Sequence, residues 1–304
     1  MIPYTPTQLL FFFFVYCFFG WIIESTWVSA HQKRFVNRGF MHGPFIPIYG
    51  FGAMALLLVG TPLLKWPVAV FFGGMIAASI LEYITGAVME AVFKVRYWDY
   101  SQKKFNINGH VCLFNSLCWG FLACMLDYFV HKPILALSEW LTYKSLNLIV
   151  MVVSVYFIVD LTLSFKAAFD MRDLIIKMEK AREDMRLMQK RLDVMLAYAN
   201  ADRQEFFDEQ LDRAEDIAKS LDEKFDAVKK AMEEKPSEFA ENVRDEFKEL
   251  RERFAENKAS HFGLTGFKDI YKRGLIKGNP SMVSKKFKAS LEALKEYVNK
   301  KDEK

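Results

Sequence analysis

Charge is scarce in the first half of this sequence. Up to Phe165 there are ten Lys/Arg and seven Asp/Glu, whereas the rest holds 31 and 30. Between those few charges run apolar stretches of about 20 residues, enough to cross the hydrocarbon core of a bilayer. A membrane domain followed by a charged, soluble one accounts for the contrast. Cysteine is sparse too. Cys17, Cys112, Cys118 and Cys124 sit in apolar runs without CxxC spacing, which argues against a disulfide scaffold or zinc site and for small buried hydrophobes. No basic cluster stands out, because the second half interleaves Lys and Arg with acids, so nucleic acid is not an expected partner. No Lys or Arg precedes the first apolar run and Glu24 interrupts it. Despite the cleavage-like Val28-Ser29-Ala30, it reads as an uncleaved span.

Five apolar segments are expected to span, near 7–30, 44–64, 68–93, 107–130 and 144–165. The second begins among Pro44, Pro47, Gly50 and Gly52, which suits a broken or re-entrant helix covered by protein. The connection after the first span holds Lys33, Arg34 and Arg38, and that after the third holds Lys94, Arg96, Lys103 and Lys104. Short basic connections stay cytoplasmic. That places the N-terminus outside and the charged tail inside, with membrane lipids as neighbours.

The tail carries apolar residues at alternating steps of three and four: Leu174, Met178, Ala181, Met185, Met188, Leu192 and Met195, then Phe207, Leu211, Ala214, Ala218, Leu221, Phe225, Val228 and Met232. Such a seam predicts a coiled coil over 169–235 and a homo-oligomer formed through it. Its phase slips across 200–204, through either a stutter or a hairpin turn. Pro236-Ser237 opens a further helix with Phe239, Val243, Phe247, Leu250 and Phe254 on one stripe. A Gly-containing loop then leads to a last helix carrying Phe287, Leu291, Leu294 and Val298. The expected fold is all-α: a transmembrane bundle over 1–168, the coiled coil over 169–235 and a helical tail over 236–304.

Polar residues inside the spans are the candidates for function, since an intramembrane acid must find a partner. At 100° per residue Gly74, Ala78, Glu82, Gly86 and Glu90 drift along one face of the third span, and Gly20 and Glu24 give the first span a similar face. Arg38, Arg96 and His110 are candidate partners at the same level. With His42, Tyr49, Asp99 and Asn115 these make two readings possible: register-holding pairs, or a cytoplasm-facing polar cavity for an ion, a proton or a polar head group. Asp127 and Asp160, near span ends, read as structural. There is no HxxxH or HExxH spacing, so neither a metal nor a cofactor is expected. No nucleophile–base constellation marks catalytic residues.

The segments GWIIES (20–25), NRGFMHGPFIPIYGFGA (37–53), SILEYITGAVMEAVFKVRYWDYS (79–101) and FNINGHVCLFNSLCWG (105–120) together resemble the ABC-transporter type IV, or CmpB-like, family of bacterial membrane proteins. The resemblance covers roughly Leu9 to Phe165 and implies a permease. No GxxxxGK[ST] loop occurs, so ATP hydrolysis would fall to a separate P-loop subunit docked on the basic connections. The alternatives are a membrane enzyme or binding protein acting on lipid or envelope precursors, and a scaffold or signalling protein whose coiled coil is the active part.

Overall fold

The computed structural model describes residues 4–199, 214–234, 241–262 and 270–300. It is all-α but for one small hairpin: α1 (Pro6–Gln32), α2 (Pro47–Gly60) with a 3-10 turn (Thr61–Leu63), α3 (Pro67–Phe93), β1 (Asn106–Ile107), β2 (Val111–Cys112), α4 (Leu113–Met125), a π turn (Leu126–Val130), α5 (His131–Trp140), α6 (Tyr143–Ala199), α7 (Ala214–Glu234), α8 (Glu241–Phe262), α9 (Ile270–Gly278) and α10 (Lys288–Lys300). Contacts divide the chain into two units. The first is Met1–Asp170 with Asp269–Lys285, and the second is Met171–Lys268 with Lys286–Lys304.

Each of the first three helices starts on a proline, whose fixed φ suits the first helical turn and whose missing N–H is not needed there. Thr5 and Gln8 close a capping box on α1. Lys33 and Lys94, in left-handed conformation, end α1 and α3. Among the described residues four helical stretches are long and apolar enough to cross a membrane: α1, α3, the run Leu113–Trp140 and the apolar start of α6. The expected second span is the short one, Pro47–Leu63, because the segment before Pro47 is not helical.

The fourth span begins at Leu113 rather than at 107. Residues 106–112 form the hairpin instead, with Asn108 (φ 53°) and Gly109 (φ 77°) at its turn and the His110 N–H donating to the Ile107 carbonyl at 3.1 Å. Two consecutive positive φ values are what an Asn-Gly turn supplies. His110 therefore lies in the connection and not in the span.

α3 shows how the bundle is built. Val70, Gly74, Ala78, Glu82 and Gly86, spaced four apart, are buried. Ile76, Ile80, Ile84 and Val88, also four apart, are about half exposed and turned outward. In lipid this outward row meets hydrocarbon, so packing on the inward face decides association. A side chain on Gly74 would collide with Ala123 of α4, so the two backbones touch there. Aromatic edges interlock between α1, the segment before α2 and α6: Phe13 with Phe157, Phe14 with Phe45, and Phe45 with Phe157.

In the second unit the methionine seam is buried inside one chain. Met185, Met188, Leu192 and Met195 pack with Ile217, Leu221, Phe225, Val228, Phe247, Leu250 and Phe254. The seam expected between copies is thus filled by α7 and α8, and Lys224 pairs with Asp193 beside it. Ile175, not Leu174, continues the buried stripe toward Met171. The register slip at 200–204, Phe207, Leu211, the Ala214 side chain, Pro236-Ser237, Phe239 and residues 263–269 lie outside the described residues.

Gly74→Val should overpack the α3–α4 contact and cost about 1–3 kcal/mol. In a detergent-solubilised melting assay it should lower the midpoint by several degrees, whereas Ile80→Val on the outward face should leave it nearly unchanged.

Candidate functional site

Glu82, 5% exposed, is held by donors from two other elements. Trp119 Nε1 of α4 donates to its Oε2 at 3.0 Å. The Tyr100 hydroxyl donates to its Oε1 at 3.2 Å and accepts from Asn115 Nδ2 at 2.5 Å. Tyr100 arrives because the connection after α3 folds back against the bundle. Burial, and next the Glu82 charge, push the Tyr100 hydroxyl up from its ordinary value, so it remains a donor.

One ring away, Tyr49 lies 5.8 Å from Trp119 between centroids and donates its hydroxyl to Glu24 at 2.8 Å. Glu24 pairs with Arg38 at 3.7 Å. Glu24, Tyr49, Trp119, Glu82, Tyr100 and Asn115 therefore form a continuous polar and aromatic band through α1, α2, α4 and α3. Glu90, two turns beyond Glu82, belongs to a second cluster. Arg96 Nε lies 2.7 Å from it, His110 Nε2 3.3 Å from it, and Arg96 also reaches Asp99 at 3.1 Å. A side chain on Gly86 would stand 2.9 Å from His110 Nδ1, so the ring packs close against bare helix. Burial, and then the Arg96 charge, hold His110 below its ordinary 6.5 despite Glu90.

Of the residues singled out by sequence, two sets are thus assembled: Glu24, Arg38, Tyr49, Glu82 and Asn115, and Glu90, Arg96, Asp99 and His110. His42 joins neither. Its ring packs on Tyr271 of α9 at 4.8 Å, beside a small cavity of about 280 Å³ that Arg34 and Ser164 also line. A larger cavity of about 350 Å³ opens next to the first set. Glu24, Arg38, Tyr49 and Asn279 line it with polar groups, and Phe51, Phe157, Leu161 and Phe165 with apolar ones. Glu82 does not line it.

Sequence reading missed the C-terminal contribution. The GNPSMVS stretch (278–284) stitches both basic connections. Asn279 Oδ1 accepts from Arg38 at 2.5 Å, and its Nδ2 donates to the Gly39 carbonyl at 2.8 Å. Val283 and Arg96 exchange backbone hydrogen bonds of 2.7 and 2.9 Å. Ser284 donates to the Lys94 carbonyl at 2.8 Å. A Gly-Asn-Pro turn near the end of a charged tail carries no sign of its distant partners. Nothing local in the sequence marks Trp119 and Tyr100 as partners of Glu82, whereas the Asn-Gly pair was a usable hairpin signal.

Apolar outward rows, spanning helices and internal carboxylates held by neighbouring helices define a polytopic α-helical membrane protein. A family profile described as "Putative ABC-transporter type IV" matches residues 11–165, just over half of the chain, and the chain belongs to that family. No curated protein and no solved structure matches it.

Tyr100→Phe should leave Glu82 short of a donor and destabilise by about 1–3 kcal/mol, read as a lower detergent melting midpoint that Glu82→Gln in the same background partly restores. A second outcome concerns pH. Above 6.5 the folded and unfolded chains both hold His110 neutral. As pH falls below that value the unfolded chain takes the proton first, so stability drops until the lower folded value is passed. Melting midpoints of wild type minus His110→Asn should show this extra acid-side loss.

Proposed function

We propose that this protein is the membrane subunit of an ABC-type transporter, and that its cargo binds in the 350 Å³ cavity at the Glu24–Arg38 pair. The observation that carries this is the pair's position: a charged couple lining a cavity that phenylalanine and leucine side chains also line. Such a site suits an amphiphilic or weakly polar cargo. The Tyr49 hydroxyl and the Asn279 side chain hold the couple's two ends, so cargo that competes for Arg38 also loosens the 278–284 stitch. The basic connections face the cytoplasm of a bacterial inner membrane, the N-terminus lies outside, and a separate P-loop ATPase docks at 94–112.

The apolar lining also favours a second reading, a lipid- or envelope-precursor-binding protein without an ATPase. A homo-oligomer fits either reading through surfaces other than the filled methionine seam.

One experiment separates the readings. The tagged full-length chain is purified in mild detergent, and everything that accompanies it is identified by mass spectrometry. The transporter reading expects a stoichiometric P-loop ATPase, with Mg-ATP hydrolysis falling at least tenfold in Lys103→Glu/Lys104→Glu. A preparation that carries bound lipid and no ATPase moves the cavity to the second reading.

A further inference from the structure

The half of the bundle remote from the basic connections holds an acid that the cargo site does not use. Asp127 is 6% exposed, and its Oδ2 has no hydrogen-bond partner. Among the described residues no Lys or Arg forms an ion pair with it. It stands in the π turn, where the His131 N–H reaches back five residues to the Leu126 carbonyl. Pro133 follows two residues later. Having no N–H, it breaks the regular ladder and lets the helix widen. Such turns recur at functional positions. Opposite, a side chain on Gly60 of α2 would collide with Asp127 Oδ2, so the acid fits only because that residue is glycine.

Its surroundings are neutral and protonatable. His131, buried one turn on, contacts the Tyr16 hydroxyl through Nδ1 at 2.8 Å and the Tyr4 hydroxyl through Nε2 at 2.9 Å. The charge of Asp127 bears on Tyr4 and Tyr16 from the N-terminal segment and α1, and on Cys124 and Tyr128 of its own helix. Glu139 also bears on Tyr4. From α2, Gly60 stands against the carboxylate. Tyr4 lines an apolar groove of about 780 Å³ between α1 and α2, which links the hydroxyl–imidazole chain to the surface of the bundle.

An ionised carboxylate buried in apolar surroundings without a cation is costly, and a bound proton removes that charge. We propose that Asp127 is a proton-binding site: its carboxylate holds a proton in the folded bundle near neutral pH and gives it up to solvent as the pH rises. The site is independent of the cargo reading, since none of its residues lines the Glu24–Arg38 cavity. It gives this half of the bundle a ligand of its own, the proton.

The test is infrared spectroscopy of the full-length protein in lipid nanodiscs across a pH series. A protonated aspartic acid shows a carbonyl stretch above the amide I band, and ¹³C-aspartate labelling shifts it. The expected result is such a band near neutral pH, lost as pH rises and missing in Asp127→Asn. Should that variant fail to fold, Asp127→Glu serves in its place, because a glutamic acid band no longer shifts with labelled aspartate. No aspartic acid band in labelled wild type at neutral pH would overturn the proposal without any variant. A band that persists unchanged in Asp127→Asn would assign the proton to another aspartate and overturn it equally.

Discussion

A carboxylate in the middle of an apolar helix is the constraint from which much of this architecture follows. Glu82 cannot stay in lipid without donors, and those that hold it come from outside α3. Trp119 must come from α4, and Tyr100 must come from a connection that turns back into the bundle. Once Tyr100 is committed, residues 94–112 cannot hang free. Arg96, Asp99 and His110 are drawn against Glu90, and the Asn108-Gly109 hairpin brings the chain round to start α4. Satisfying buried polar groups thus places a long connection that apolar packing alone would leave undetermined.

Small residues make these polar contacts reachable. α3 and α4 touch at Gly74 and Ala123, and His110 lies against Gly86. Close backbones bring short-range partners within about 3 Å, where hydrogen bonds form. The same principle operates at Gly60 and Asp127, but there the close approach leaves one carboxylate oxygen without a hydrogen-bond partner. Glu24, Glu82 and Glu90 are thus bound up in networks, whereas Asp127 keeps an unsatisfied oxygen. Structural and titratable roles separate on that difference.

Segment 278–284 ties the chain's end to its beginning. One asparagine satisfies Arg38 and the Gly39 carbonyl together, and a two-bond bridge fixes Val283 to Arg96. Loss of the Asn279 contact would leave the Arg38 guanidinium short of an acceptor, and loss of the bridge would leave the Arg96 backbone N–H and carbonyl without these partners. The stitch therefore couples the position of the two basic connections to a distant part of the sequence.

Hydropathy and the four-residue step along α3 sufficed to read the spanning helices, the inward Gly74–Ala78–Glu82–Gly86 stripe and the methionine seam, because periodicity is a local property of the chain. The same step predicted that Glu82 and Glu24 face the interior. Local pattern stopped short where partners are far apart in sequence. It did not say that Trp119 and Tyr100 serve Glu82, that His110 sits in a hairpin, that His42 turns away to Tyr271, or that the seam closes on α7 and α8. Those pairings were decided only when helices from distant stretches approached closely enough for one donor to reach one acceptor.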